Sequence, residues 1–229
     1  MRIDRLLSVV CAAFAASCTS AEPTVTQSPP TREVRGQDLI SSDLPALVVR
    51  LDSSFSFLGT VPFVIPDFAD GERFVFVDSD DETVRRTVIA QFETAFPGPD
   101  NTYNYSFSET PVVAGYNWRS NPFAFSYGKA AADNPDGEAA LTAAFLRSQG
   151  YEFADEVMLV RHLTVPDSAR KHELILFYIE PAESAGVGLA DLYDGDFNET
   201  PLFDSLAVGL ASRADEAFEI LPLQERFEP

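Results

Sequence analysis

The sequence predicts an α+β domain, in which a curved antiparallel sheet has two helices packed on one face. Short Val- and Phe-rich segments bounded by turn residues fill most of the chain, as is typical of antiparallel strands. Two segments, 136–149 and 202–218, instead repeat apolar residues at helical spacing. The predicted order is β-β-β-β-(β)-α-β-β-α, and a small β-barrel with appended helices is the alternative.

The first strands are predicted from Val- and Phe-rich segments, which are 47–51, 55–65 and 73–77. Pro62 places part of the second segment at an edge or a bulge, because proline has no N–H to donate to a sheet. The segment 84–94 has apolar residues at both helical and alternating spacing. Its β-branched residues and the short acidic turn at 78–82 favour a strand that forms a hairpin with the preceding one.

The middle of the chain, 101–135, is predicted to be a long irregular and aromatic stretch, with a strand favoured at 111–116. A helix follows it. Asp133 or Asp136 is expected to cap the start of this helix, and Gly150 is expected to end it.

The clearest hairpin pairs 157–165 with 173–179 through the polar segment 166–171. Both segments are apolar on both faces except around Arg161 and His162. These two strands are therefore expected at the centre of a sheet that is covered on both sides.

The N-terminal segment, residues 1–17, has the layout of a secretory signal peptide. Arg2 and Arg5 precede an uncharged apolar segment, 6–16, which is shorter than the roughly 20 residues that a membrane-spanning helix needs. The motif that ends it, Ala15-Ala16-Ser17-Cys18, resembles the lipobox of bacterial lipoprotein precursors.

This resemblance implies that the Cys18 thiol is acylated and that the leader is cut just before it, which leaves a protein anchored to a membrane by its lipid. The chain has two cysteines, Cys11 in the leader and Cys18, so an exported protein would have no disulfide partner for Cys18. Thr19, in place of the Asp that would resemble an inner-membrane retention signal, favours the outer membrane facing the periplasm. The alternative is cleavage after Ala21 and a soluble secreted or periplasmic protein.

The amino-acid composition of residues 18–229 predicts two regions, a tether and a folded domain. Residues 18–44 are rich in Ser, Thr and Pro and are predicted to be a disordered tether, while 45–229 are predicted to form a single globular domain. The hydrophobic fraction of 45% is that of a globular protein. The formal net charge of −20 argues against nucleic acid and anionic headgroups as partners.

Motifs for catalysis and for metals are absent from the sequence. There is no Gly-x-Ser-x-Gly motif, no phosphate-binding loop and no paired zinc ligands, and His162 and His172 are the only histidines. The segment 194–205 begins like a calcium loop but has Glu199 where Gly is needed and Ser205 where Glu is needed. We therefore predict no catalytic residue, no metal and no cofactor.

The aromatic stretch is the best candidate for a binding site, because Tyr and Trp combine flat apolar faces with polar tips. The predicted ligand-binding residues are Tyr103, Tyr105, Tyr116, Trp118 and Arg119. The sequence favours a non-enzymatic cell-envelope lipoprotein that binds a protein partner or an apolar small ligand. The alternative is an envelope hydrolase that uses His162 and a nearby carboxylate.

Overall fold

A computed structural model describes residues 31–223. The strands are, in chain order, β1 (Arg32–Arg35), β2 (Asp38–Ser41), β3 (Leu47–Leu51), β4 (Ser56–Ile65), β5 (Ala69–Asp80), β6 (Thr83–Ala95), β7 (Val112–Val113), β8 (Tyr116–Asn117), β9 (Arg119–Ser126), β10 (Glu156–Thr164), β11 (His172–Pro181) and β12 (Phe218–Pro222). The helices are α1 (Tyr127–Asp133), α2 (Glu138–Ser148), α3 (Leu189–Leu192) and α4 (Pro201–Ala217), with a 3₁₀ turn at Ala182–Ala185.

The centre of the fold is a six-stranded antiparallel sheet in the order β4-β5-β6-β11-β10-β9. A smaller antiparallel sheet has the order β1-β2-β3-β12, and β7 pairs only with β8. The predicted α+β class with antiparallel sheets is thereby confirmed. The described strands do not close into a barrel, which was the alternative fold. The β5–β6 and β10–β11 hairpins lie where the sequence predicted them, so the segment 84–94 is a strand.

The two longer helices lie on opposite faces of the central sheet, whereas the sequence predicted that they share one face. Buried residues of α4, such as Leu210, share a core with Val88 and Leu176. Buried residues of α2 pack instead with the neighbours that point the other way, among them Ile89 and Val75. Because the central strands are apolar on both faces, both faces have to be covered.

The smaller sheet corrects the predicted tether at 18–44. Residues 32–35 and 38–41 form the β1–β2 hairpin, which turns at Gly36 (φ +60°) and pairs with β3. Leu39 is fully buried against the central sheet, together with α4. Composition misses this hairpin because its burial depends on strands that come later in the chain. Residues 18–30 of the predicted tether, the signal peptide and Cys18 lie outside the described residues.

The stretch 101–135 is also more regular than predicted, because it contains β9 and α1. Strand β9 pairs with β10 alone, and this edge position tolerates Pro122. The strand predicted at 111–116 is divided between the short β7 and β8. Gly137, not Asp133 or Asp136, is the N-cap of α2, and Gly150 (φ +86°) follows the end of that helix as expected.

Helix α4 begins at Pro201, where the Thr200 hydroxyl accepts a hydrogen bond from the Phe203 N–H. It ends at Ala217, and the chain passes directly into β12, which pairs with β3. Among the helices of residues 31–223, none has the length and apolar character to cross a membrane.

Candidate ligand pocket and buried carboxyl pair

A pocket of about 200 Å³ lies between the central sheet and the helices α1 and α2. Most of its wall is apolar, and its aromatic members are Phe123, Phe125, Tyr127 and Phe177. Arg73, Glu138 and Thr142 form the polar part of the lining. The pocket therefore combines an aromatic chamber with one charged wall, which is the usual make-up of a small-molecule site.

Arg73 is held rigidly in this wall although it is only 5% exposed. Its Nε donates to Gln91 Oε1 at 2.6 Å, and its Nη1 donates to Thr142 Oγ1 and to the Glu138 backbone carbonyl, both at 2.5 Å. Its Nη2 lies 3.3 Å from Glu138 Oε1. Burial lowers the pKa of Arg73 and the charge of Glu138 opposes that effect, so the guanidinium stays charged.

Two buried glutamates lie side by side on the same face of the sheet. Glu93 on β6 and Glu173 on β11 are direct cross-strand partners, with exposed fractions of 5% and 2%. Burial raises the pKa of both carboxyl groups, that of Glu173 to about 8, and for Glu173 the charge of Glu93 adds to the effect of burial. Like charges in such a site oppose each other, so the pair retains a proton at neutral pH.

A single amide connects the pocket to this carboxyl pair. Gln91 Nε2 donates to Glu138 Oε1 at 2.5 Å, at the pocket wall, and also to Glu93 Oε1. Gln91 Oε1 accepts from Arg73, so the amide orientation is fixed by its partners on both sides. The charge at the pocket wall and the protonation of the pair are therefore parts of one hydrogen-bonded network.

Two of the five residues predicted to bind a ligand contact the carboxyl pair. The Tyr103 hydroxyl donates to Glu93 Oε2 at 2.8 Å, and burial is the main cause of the raised pKa of Tyr103. Tyr105 is half-buried beside Glu173, and burial, reinforced by the charge of Glu173, raises its pKa to about 12. Arg170 holds this loop, because it accepts from the Tyr103 N–H and donates to the Tyr105 carbonyl.

The other three predicted residues lie elsewhere. Trp118 is 2% exposed and belongs to the core between the two sheets, where its indole N–H donates to the Val113 carbonyl at 3.1 Å. Trp118 is therefore a core residue, and it is not among the residues that line the aromatic pocket. Tyr116 packs against the same core and accepts from the Ala46 N–H, while Arg119 is exposed at the start of β9.

His162 lies on the α4 face of the sheet, away from the pocket. Its Nδ1 is 2.6 Å from Ser120 Oγ, and its ring meets the Phe218 ring edge-on. Burial lowers its pKa, and the charge of Asp215 opposes this. No described residue is hydrogen-bonded to its buried Nε2. A hydrolase that uses His162 would need a carboxylate to orient the ring, and the described part of the chain supplies none by a hydrogen bond.

Sequence reasoning missed the residues that build this site, which are Arg73, Gln91, Glu93, Glu138 and Glu173. The strands carry a partial signal: Gln91 and Glu93 are buried polar residues among the apolar residues of β6, and Arg73 and Glu173 are buried at the start of apolar segments. A polar residue at such a position is buried only when it has partners, which marks it as part of a network.

Within residues 31–223, no group of three or more His, Cys, Asp and Glu side chains is arranged to hold a metal ion. Comparisons of the whole chain with protein-family models, curated proteins and solved structures give no match.

Proposed function

We propose that this chain is a lipid-anchored protein of the bacterial cell envelope whose folded domain binds a small ligand in the aromatic pocket. The pocket itself is the observation on which the binding function rests: an apolar chamber with one fixed charged wall. The anchor rests on the resemblance of residues 15–18 to a lipobox, with Cys18 as the lipidated residue and the outer membrane as the expected location. The domain is proposed to bind without catalysing a reaction.

The size of the pocket limits the ligand. A volume of about 200 Å³ is below the ~300–1,000 Å³ of pockets that hold drug-sized molecules. It suits a molecule with one ring or a short aliphatic body. Phe123, Phe125 and Phe177 offer ring faces and edges that favour an apolar or aromatic body.

The charged residues of the pocket wall determine whether the polar group of the ligand should be a hydrogen-bond donor or an acceptor. The Arg73 guanidinium is occupied by Gln91, Thr142 and Glu138, whereas the side chain of Glu138 is 39% exposed. A carboxylate only accepts hydrogen bonds, so the ligand should present a donor such as a hydroxyl or an ammonium group. We therefore propose a small amphipathic ligand with an apolar body and one donor group.

A pocket-filling variant tests this function. Ala139 lines the pocket, and Ala144 is exposed on the same helix. Ala139→Leu should fill the chamber and weaken binding of 2-phenylethylamine or 4-ethylphenol, measured by ligand-observed NMR, by about tenfold or more. Ala144→Leu is the matched control and should bind like the wild type. Equal binding by the two variants, or binding of ethylbenzene as tight as that of the two donors, would contradict the proposed site.

A further inference from the structure

A second concave site lies on the other side of the central sheet. A groove of about 710 Å³ is formed where the ends of β5, β6 and β11 meet α4 and the 3₁₀ turn. We call it the arginine groove, and it is lined by Ser54, Asp78, Arg85, Arg86, Glu180, Ser184, Ala185, Leu206 and Arg213. Its lining differs from that of the aromatic pocket, because charged and hydroxyl groups predominate.

Buried carboxylates fix the three guanidinium groups. Asp78, which is 4% exposed, accepts from Arg85 Nη2 at 2.5 Å and from Arg86 Nε at 2.7 Å. Glu180, which is 9% exposed, accepts from Arg213 Nε at 2.8 Å and from Arg213 Nη2 at 2.7 Å. These bonds hold the guanidinium groups in place without a ligand, which lowers the entropic cost of binding one.

The groove also gathers three arginines in a chain whose net charge is −20. Its lining has two carboxylates, and the exposed Asp52, which accepts from the Ser54 hydroxyl, lies close enough to act on Arg86. Elsewhere, the exposed Arg35 and Arg50 form ion pairs with Glu33 and Asp38. The side chains of Arg85 and Arg213 are 57% and 47% exposed, and each has donors that its carboxylate does not use, whereas Arg86 is 30% exposed and also donates to Ser54.

We propose that the arginine groove binds a phosphate group carried by a small molecule. Guanidinium groups match phosphate oxygens in geometry, and three of them around one groove suit a phosphate dianion. Ser184 adds a hydroxyl group to the lining, whereas the Ser54 hydroxyl already donates to Asp52 and accepts from Arg86. The volume exceeds what free phosphate needs, and Leu206 and Ala185 provide an apolar wall for the rest of the molecule.

The test uses isothermal titration calorimetry of the folded protein at low ionic strength, with glycerol 3-phosphate and inorganic phosphate as probes. The double variant Arg85→Gln/Arg213→Gln should weaken glycerol 3-phosphate binding by about tenfold or more. The charge-matched control Arg35→Gln/Arg50→Gln should change it by less than about twofold, because those arginines lie outside the groove.

A second double variant, Arg85→Lys/Arg213→Lys, keeps the charge and removes the guanidinium groups, and it should bind more weakly than the wild type. Tighter binding of glycerol 3-phosphate than of inorganic phosphate supports a small phosphorylated ligand. Equal weakening in the groove variant and the charge-matched control would show a general charge effect and overturn the proposal. The absence of wild-type binding to both probes would overturn it as well.

Discussion

The buried pair Glu93–Glu173 predicts that the stability of the domain falls as pH rises, and Glu173→Gln should remove most of that fall. Below about pH 4.5, Glu173 is protonated in the folded and in the unfolded chain. Between that pH and about 8, the unfolded chain releases a proton that the folded chain retains. Unfolding therefore becomes more favourable with each step of rising pH in this window.

The magnitude follows from the two pKa values. Folding raises the pKa of the Glu173 carboxyl from 4.5 to about 8. Each pKa unit corresponds to about 1.4 kcal/mol, so the free energy of unfolding is about 5 kcal/mol lower once Glu173 is ionised in both states. The side chain is 2% exposed, so solvent screens little of this cost. Glu93, Glu138 and Tyr105 face Glu173 together with Arg161, whose positive charge acts in the opposite direction.

The assay is urea denaturation of the wild type and Glu173→Gln at several pH values between about 5 and 8. The free energy of unfolding of the wild type should fall, relative to that of the variant, by up to about 1.4 kcal/mol per pH unit. Glu216→Gln, at an exposed position on α4, is the control and should follow the wild type. Parallel pH profiles for wild type and Glu173→Gln would refute the reasoning.

Three further predictions concern the core, a helix end and the anchor. Trp118→Ala should lower the free energy of unfolding in chemical denaturation by about 3–5 kcal/mol, because a buried indole is lost; a loss below about 1 kcal/mol would contradict its place in the core. Thr200→Ala should cost about 1 kcal/mol in thermal unfolding, since it removes the N-cap of α4, whereas Thr200→Ser should retain most of the stability. Cys18→Ala should abolish metabolic labelling with a tagged fatty acid, because Cys18 is proposed as the acylated residue, while Cys11→Ala should be labelled. Equal labelling of the two cysteine variants would contradict a lipid anchor at Cys18.

The sequence predicts the hairpins β5–β6 and β10–β11 because alternation and turn residues are local signals. It misses β1 and β2, whose apolar residues are few and become buried only through strand pairing with β3. The same limit explains the placement of the helices. The central strands have apolar residues on both faces, so both faces of the sheet must be covered. The spacing of apolar residues within a helix does not indicate which of the two faces that helix covers.

The site is harder to predict than the fold, because its residues are distant in the sequence. The amphipathic rings of Tyr103 and Tyr105 predict a binding role, and both residues lie against the carboxyl pair. The pair itself depends on the register between β6 and β11, which places Glu93 opposite Glu173. Trp118 has the same chemical character as the two tyrosines, but it follows β8 into the core between the sheets.

Native mass spectrometry of the full-length protein, purified from its own cell envelope, tests the proposed binding function most directly. The wild type and Ala144→Leu should both retain a small-molecule adduct, because the aromatic pocket is intact in each. Ala139→Leu should lose that adduct, because the added side chain fills the chamber. A wild-type protein without an adduct, or the same adduct on Ala139→Leu, would contradict a ligand in this pocket.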